Sequence, residues 1–129
     1  MINTRRKGEE MAKTVQSRKQ KGRILQQIIR DKILETFSEL TERDVRSTPM
    51  GVSGVDIQLS QKAADLFPFS IESKNQEKLN IWNALKEAES DTKERDLMPL
   101  LIFKRNRSNI YCTFKFTDFL KIIKNGKNI

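Results

Sequence analysis

Histidine is absent from the 129 residues, and with it go the histidine-metal nuclease motifs, Ser-His-Asp and Cys-His catalysis, and the usual histidine zinc sites. Cysteine occurs once, at Cys112, so neither an internal disulfide nor a zinc ribbon can form. Its place in the apolar run Ile110 to Phe116 reads as a buried structural thiol rather than a nucleophile. No apolar run is long enough to span a bilayer and no signal-peptide pattern is present, so a soluble, cytoplasmic protein is expected. Neither Gly-x-x-x-x-Gly-Lys nor Gly-x-Gly-x-x-Gly occurs, which leaves no expectation of a nucleotide cofactor. Acidic residues are outnumbered, 17 Asp and Glu against 25 Lys and Arg, and the resulting net charge of +8 attracts polyanions. Nucleic acid is the leading partner, with an anionic membrane surface as its competitor. The length fits one domain with a modest core.

What is present centres on two short apolar runs. Val55 to Ser60 and Phe69 to Asn75 read as strands, in which side chains alternate between faces. In the first, Val55, Ile57 and Leu59 fall opposite Asp56 and Gln58. In the second, Phe69, Ile71 and Ser73 fall opposite Ser70, Glu72 and Lys74. If the strands pair, Asp56, Glu72 and Lys74 project from one surface. Adjacent carboxylates repel each other and are stabilised by a divalent cation, and oxygen ligands suit magnesium or manganese. The bland alternative is that Lys74 merely neutralises Asp56 or Glu72 in a surface ion pair of little worth.

An acidic residue on one strand followed by Glu-x-Lys on the next resembles the signature of the PD-(D/E)XK nuclease superfamily. Arg46 and Ser47, then Gly51, Val52, Ser53, Gly54, Val55 and Asp56, look like the R…GxSGxD approach to the site in Holliday junction resolvase-like members, many of them phage-encoded. Ser70 to Gln76 looks like the strand that follows, and the likeness covers roughly Lys21 to Ile123. It implies catalytic roles for Asp56, Glu72 and Lys74. It also implies a magnesium site, for which manganese could substitute, on Asp56, Glu72 and the Ser73 carbonyl. In the resembling family the first helix often adds an acidic residue. Glu35 is one candidate here, while Gln26 and Gln27 lie where several resolvases carry a glutamate after a Lys-Gly pair such as Lys21 and Gly22. Each of the three is equally explained as a solvated side chain. Gln76 is a further accessory candidate or a solvated strand end.

Along the chain, residues 1–20 are polar and basic and read as a mobile arm or frayed helix. Its Arg5, Arg6, Lys7, Arg18 and Lys19, with Lys21 and Arg23 just beyond, either contact phosphates or merely solubilise. The remainder, 21–129, reads as a single nuclease domain. Gly22 to Leu40 carries Ile24, Leu25, Ile28, Ile29, Ile33, Leu34 and Phe37 at helical spacing. Thr41 to Gly54 is a connector broken by Pro49, Gly51 and Gly54, from which Arg46 and Ser53 could reach a phosphate. Gln61 to Pro68 is expected to hold a helical turn. From Glu77 to about Arg95 a helix is predicted whose core stripe is Leu79, Trp82, Leu85 and Ala88; Trp82 could instead stack on a base. Met98 to Phe103 is a buried central strand, and Asn109 to Phe116 another. Between them Lys104, Arg105 and Arg107 form a basic turn that grips DNA or is simply solvated. Thr117 is expected to cap a last helix, Asp118 to Ile123.

The order helix, strand, strand, helix, strand, strand, helix predicts an α/β domain, a central mixed β-sheet flanked by α-helices. It matches the restriction-endonuclease-like core that the resemblance implies. The expected activity is metal-dependent endonucleolytic hydrolysis of DNA. Holliday junctions or related branched DNA are the implied substrate, a homodimer the implied assembly, and the host bacterial cytoplasm the setting if the gene is phage-borne. The alternatives are another structure-selective, nicking or restriction-like nuclease, and a non-catalytic DNA-binding protein of the same fold.

Overall fold

The computed structural model describes residues 4–49, 55–92 and 96–126, without the side chains of residues 4–7 and 10–13. The elements are α1 (Thr4–Thr36), β1 (Val45–Ser47), β2 (Ile57–Leu59), α2 (Gln61–Leu66), β3 (Phe69–Asn75), α3 (Ile81–Ser90), β4 (Met98–Lys104), β5 (Tyr111–Thr113) and α4 (Phe116–Asn125). β3 and β4 pair in parallel, β4 and β5 antiparallel, which makes a mixed three-stranded sheet with the expected central β4 in its middle. β1 and β2 form a separate antiparallel pair. β1 lies inside the stretch expected to be only a connector, where its three residues are too few to show alternation.

Register divides the sheet into two faces. Ile71, Leu100 and Ile102 share one, and Leu25, Ile29 and Ile33 of α1, spaced four apart, join them in the core with Val45 and Ile57. Leu25 and Val45 are fully buried, and each large aliphatic side chain so removed from water contributes roughly 1.5–3 kcal/mol. Leu101 and Glu72 lie on the opposite face, where α3 approaches β3 and β4 with its buried Ala84 and Ala88. Small side chains there let the helix come close to the sheet.

Several boundaries differ from expectation. α1 begins at Thr4 rather than Gly22, so residues 4–20 take the helical of the two forms expected for that stretch, with side chains 14–20 exposed. α3 buries Ala88, as the expected stripe has it, but with Ala84 one turn before it in place of Trp82. Trp82 is therefore 79% exposed rather than in the core. Cys112 is also exposed, because β5 is the edge strand and α1 lies chiefly against β3 and β1. The last helix starts one residue before Thr117 and takes Lys115 as its N-cap, with no side-chain hydrogen bond. Thr117 thus lies inside the helix. Ser60 makes the side-chain cap of α2, its Oγ accepting from the Ala63 N–H at 3.1 Å and donating to Asp44 Oδ1 at 2.7 Å.

Candidate active site

β3 carries the centre of the site. Glu72 and Lys74 are two residues apart and share a face, with Lys74 Nζ 3.7 Å from Glu72 Oε1. That face is the one α3 covers, and α3 delivers Glu87, whose Oε2 lies 2.8 Å from the same Nζ. Asp56 arrives from the other side, at the bend that precedes β2. Its N–H donates to the Ile71 carbonyl at 3.1 Å, the backbone bond that joins this segment to β3. The expected strand-to-strand pairing is replaced by this junction. Asp56 Oδ2 then accepts from the Ser73 N–H at 2.6 Å and the Ser73 Oγ at 3.2 Å. The N–H and C=O of one strand residue point to the same edge, so the Ser73 carbonyl faces the Asp56 side of β3.

Electrostatics follow from this crowding. Burial, then the neighbouring Asp56 charge, pushes the Glu72 carboxyl up to about 8; a hydrogen bond with Asp91 and the Glu87 charge act in the same direction, and Lys74 opposes them. Burial also raises Asp56, against the two Ser73 donors and the Lys74 charge. The two Ser73 donors favour the anion of Asp56, and no such donor offsets the rise at Glu72. Burial lowers the Lys74 ammonium, but the hydrogen bond to Glu87 and the charges of Glu72, Glu87 and Asp56 outweigh it and hold Lys74 above its ordinary value. Lys74 is therefore held as a cation in this arrangement.

Two neighbouring carboxylates whose ionisation burial opposes, beside a backbone carbonyl, are a donor set that fits a hard divalent cation. Among the described residues no three His, Cys, Asp or Glu side chains gather into a metal cage. Two carboxylates and one backbone oxygen would leave the remaining positions of such a cation to solvent.

The carboxylates open into a cleft of about 630 Å³, lined also by Arg18, Lys21 and Gln26 of α1 and by Asn75, Gln76, Glu77 and Lys78. Of the three first-helix candidates, only Gln26 lines it. Its amide is buried, and its Oε1 accepts from Ser47 Oγ at 2.6 Å. Gln27 and Glu35 are exposed elsewhere on α1. Arg46 is exposed on β1, on the face opposite Ser47, and does not line the cleft; Lys19 and Arg23 are likewise exposed outside its lining. Lys104 and Arg105 border a neighbouring notch, and Arg107 sits in the turn beside it with a positive φ of 62°. Ser53 and the side chains of Arg5, Arg6 and Lys7 lie outside the described residues.

Glu87 and Asp91 escaped the sequence reading. They are one turn apart at the C-terminal end of α3, thirteen and seventeen residues beyond Lys74, and nothing local distinguishes them from solvated charges. Phasing α3 on Ala84 and Ala88 would have shown Glu87 flanking the buried stripe. Ser47 was legible only as part of the resembling motif.

A family model described as phage putative PDDEXK endonuclease matches residues 17–129. No curated protein and no solved structure matches the chain.

Proposed function

We propose that this chain, which belongs to the phage PDDEXK endonuclease family, is a magnesium-dependent endodeoxyribonuclease that resolves Holliday junctions or related branched DNA. The observation that carries the reading is the convergence of Asp56 and Glu72 beside a lysine held as a cation. Asp56, Glu72 and the Ser73 carbonyl would hold magnesium, for which manganese substitutes. When bound, the cation supplies a Lewis acid that polarises the scissile phosphate and activates water for attack.

The chain's own residues do the rest. Lys74 donates to the non-bridging phosphate oxygen on which negative charge grows as the bond to the attacking water oxygen forms and the P–O bond to the leaving strand breaks, the departing oxygen taking its proton from solvent. Glu87 keeps the ammonium in place and charged. Arg18 and Lys21, on the wall of the cleft, draw the DNA backbone towards the carboxylates. Gln26, pinned by Ser47, orients solvent or a cation ligand at the floor. A homodimer would present two such sites to the symmetric strands of a junction. The basic side chains of α1, together with Lys104, Arg105 and Arg107, add affinity that falls steeply with salt.

The test is cleavage of a labelled four-way junction beside a linear duplex of the same sequence, in magnesium or in EDTA. Paired, magnesium-dependent cuts confined to the junction, lost in Glu72→Ala and Lys74→Ala, are expected. Equal cutting of both substrates would make the protein a general nuclease, and binding without cutting in any metal would leave a DNA-binding protein of this fold.

A further inference from the structure

A second concavity adjoins the catalytic cleft. It measures about 240 Å³ and shares Gln76 and Glu77 with the cleft. Its walls are the apolar side chains of Leu79, Ile81, Phe103 and Tyr111, and Lys104 and Arg105 lie beside them. Tyr111 is 55% exposed, while its ring rests against Phe103 with centroids 6.2 Å apart and planes inclined at 34°. One side of the phenol is therefore backed by a second ring, and much of the rest is open.

The notch is held in register with the cleft. The turn between β4 and β5 closes on itself, Ser108 Oγ accepting from the Arg105 N–H at 3.0 Å and the Ser108 N–H donating to the Arg105 carbonyl at 3.2 Å. The Asn106 N–H donates to Glu77 Oε1 at 2.8 Å, and Lys21 Nζ donates to Asn106 Oδ1 at 2.9 Å. Glu77 and Lys21 both line the cleft, so the turn that carries the cations is tied to the wall beside the carboxylates. Glu77 is thereby engaged by a backbone donor.

We infer that this notch seats an unpaired nucleotide of the DNA next to the scissile phosphate, its base stacked on Tyr111 and its phosphate met by Lys104 and Arg105. Base-paired DNA keeps its bases stacked within the duplex and cannot offer a π-face to a side chain, whereas an unpaired base can. An apolar floor with cations beside it matches the two halves of a nucleotide, and continuity with the cleft puts that nucleotide within the same bound strand. Trp82, the residue after Ile81, lies exposed on the same helix end and is the chain's single tryptophan. The inference rests on the nuclease reading for the identity of the polymer and extends it by naming the feature that separates branched or gapped DNA from plain duplex.

The experiment measures binding of the full chain in EDTA by fluorescence anisotropy. It compares a duplex with the same duplex carrying a short single-stranded gap, 2-aminopurine being placed among the unpaired bases. The gapped DNA is expected to bind more tightly, with 2-aminopurine quenched by stacking and Trp82 emission altered. Tyr111→Ala should weaken binding to gapped DNA by about tenfold more than binding to duplex, and Tyr111→Phe should restore it. Thermal melting of both variants shows that they fold. Equal affinity of the wild type for the two DNAs, or an equal loss on both in Tyr111→Ala, would overturn the inference. Magnesium-dependent cutting, assayed separately, keeps the two ideas apart: cutting without a gap preference sinks only the notch, and a gap preference without cutting sinks only the nuclease.

Discussion

Lys74 of β3 and Glu87 of α3 form the tightest ion pair at the site, with Nζ 2.8 Å from Oε2, nearly an ångström closer than Nζ lies to Glu72 on its own strand. The helix, and not the strand, therefore sets where the ammonium points. Glu87→Gln keeps the shape and removes the charge. It is expected to lower kcat by roughly tenfold to a hundredfold with little change in KM, since a displaced catalytic group costs rate rather than affinity. Steady-state cleavage kinetics read this directly. An unchanged kcat would show that Lys74 is placed by β3 alone.

The raised Glu72 carboxyl makes the metal-free fold sensitive to alkali. A group whose folded pKa exceeds its unfolded value binds a proton more readily when folded, so its contribution is complete below the ordinary carboxylate range and is lost as pH rises through about 8. In EDTA the Tm should fall between roughly pH 5 and pH 9, and Glu72→Gln should flatten that fall. Magnesium should restore Tm at the upper end, because the cation replaces the proton.

Asp44 behaves in the opposite sense. It accepts from the Thr41 N–H at 2.8 Å, from Ser60 Oγ at 2.7 Å and from Thr41 Oγ1 at 3.2 Å, and these bonds hold its carboxyl below the ordinary value. Its stabilising effect is present above the unfolded pKa and disappears as pH falls through the lower folded one. Asp44→Asn should lower Tm at neutral pH and narrow the gap between neutral and acid melting. Equal losses at both pH values would assign the effect to shape rather than charge.

Gln26 occupies the position of the first helix that reaches the site. Gln26→Glu adds a carboxylate beside a pair whose ionisation burial already opposes. The variant is expected to melt below the wild type in EDTA and to gain more from magnesium, with a metal affinity raised several-fold. Isothermal titration of magnesium and paired melts test both halves.

Leu101 is fully buried in β4 on the face that α3 covers. Leu101→Ala should cost about 2–5 kcal/mol in urea unfolding. The loss should carry activity with it, because the same α3 brings Glu87 to Lys74.

Much of this protein is local in origin. The alternation of Phe69 to Asn75 placed β3 to the residue and put Glu72 and Lys74 on one face, because a strand's period of two needs no distant partner. The spacing of Leu25, Ile29 and Ile33 likewise marked the helix face that meets the core. The absence of histidine and the excess of positive charge restricted the chemistry before any fold was known. What tertiary structure decided is where separate elements meet. Asp56 reaches the site through a bend and one backbone bond to Ile71, not through a paired strand. Gln26, rather than Glu35 or Gln27, faces the cleft because of how α1 is rotated over β3. α3 buries Ala84 and Ala88, which leaves Trp82 in solvent and swings Glu87 to Lys74. Each of these depends on the rotation or docking of one element against another, a long-range packing outcome that no window of neighbouring residues encodes.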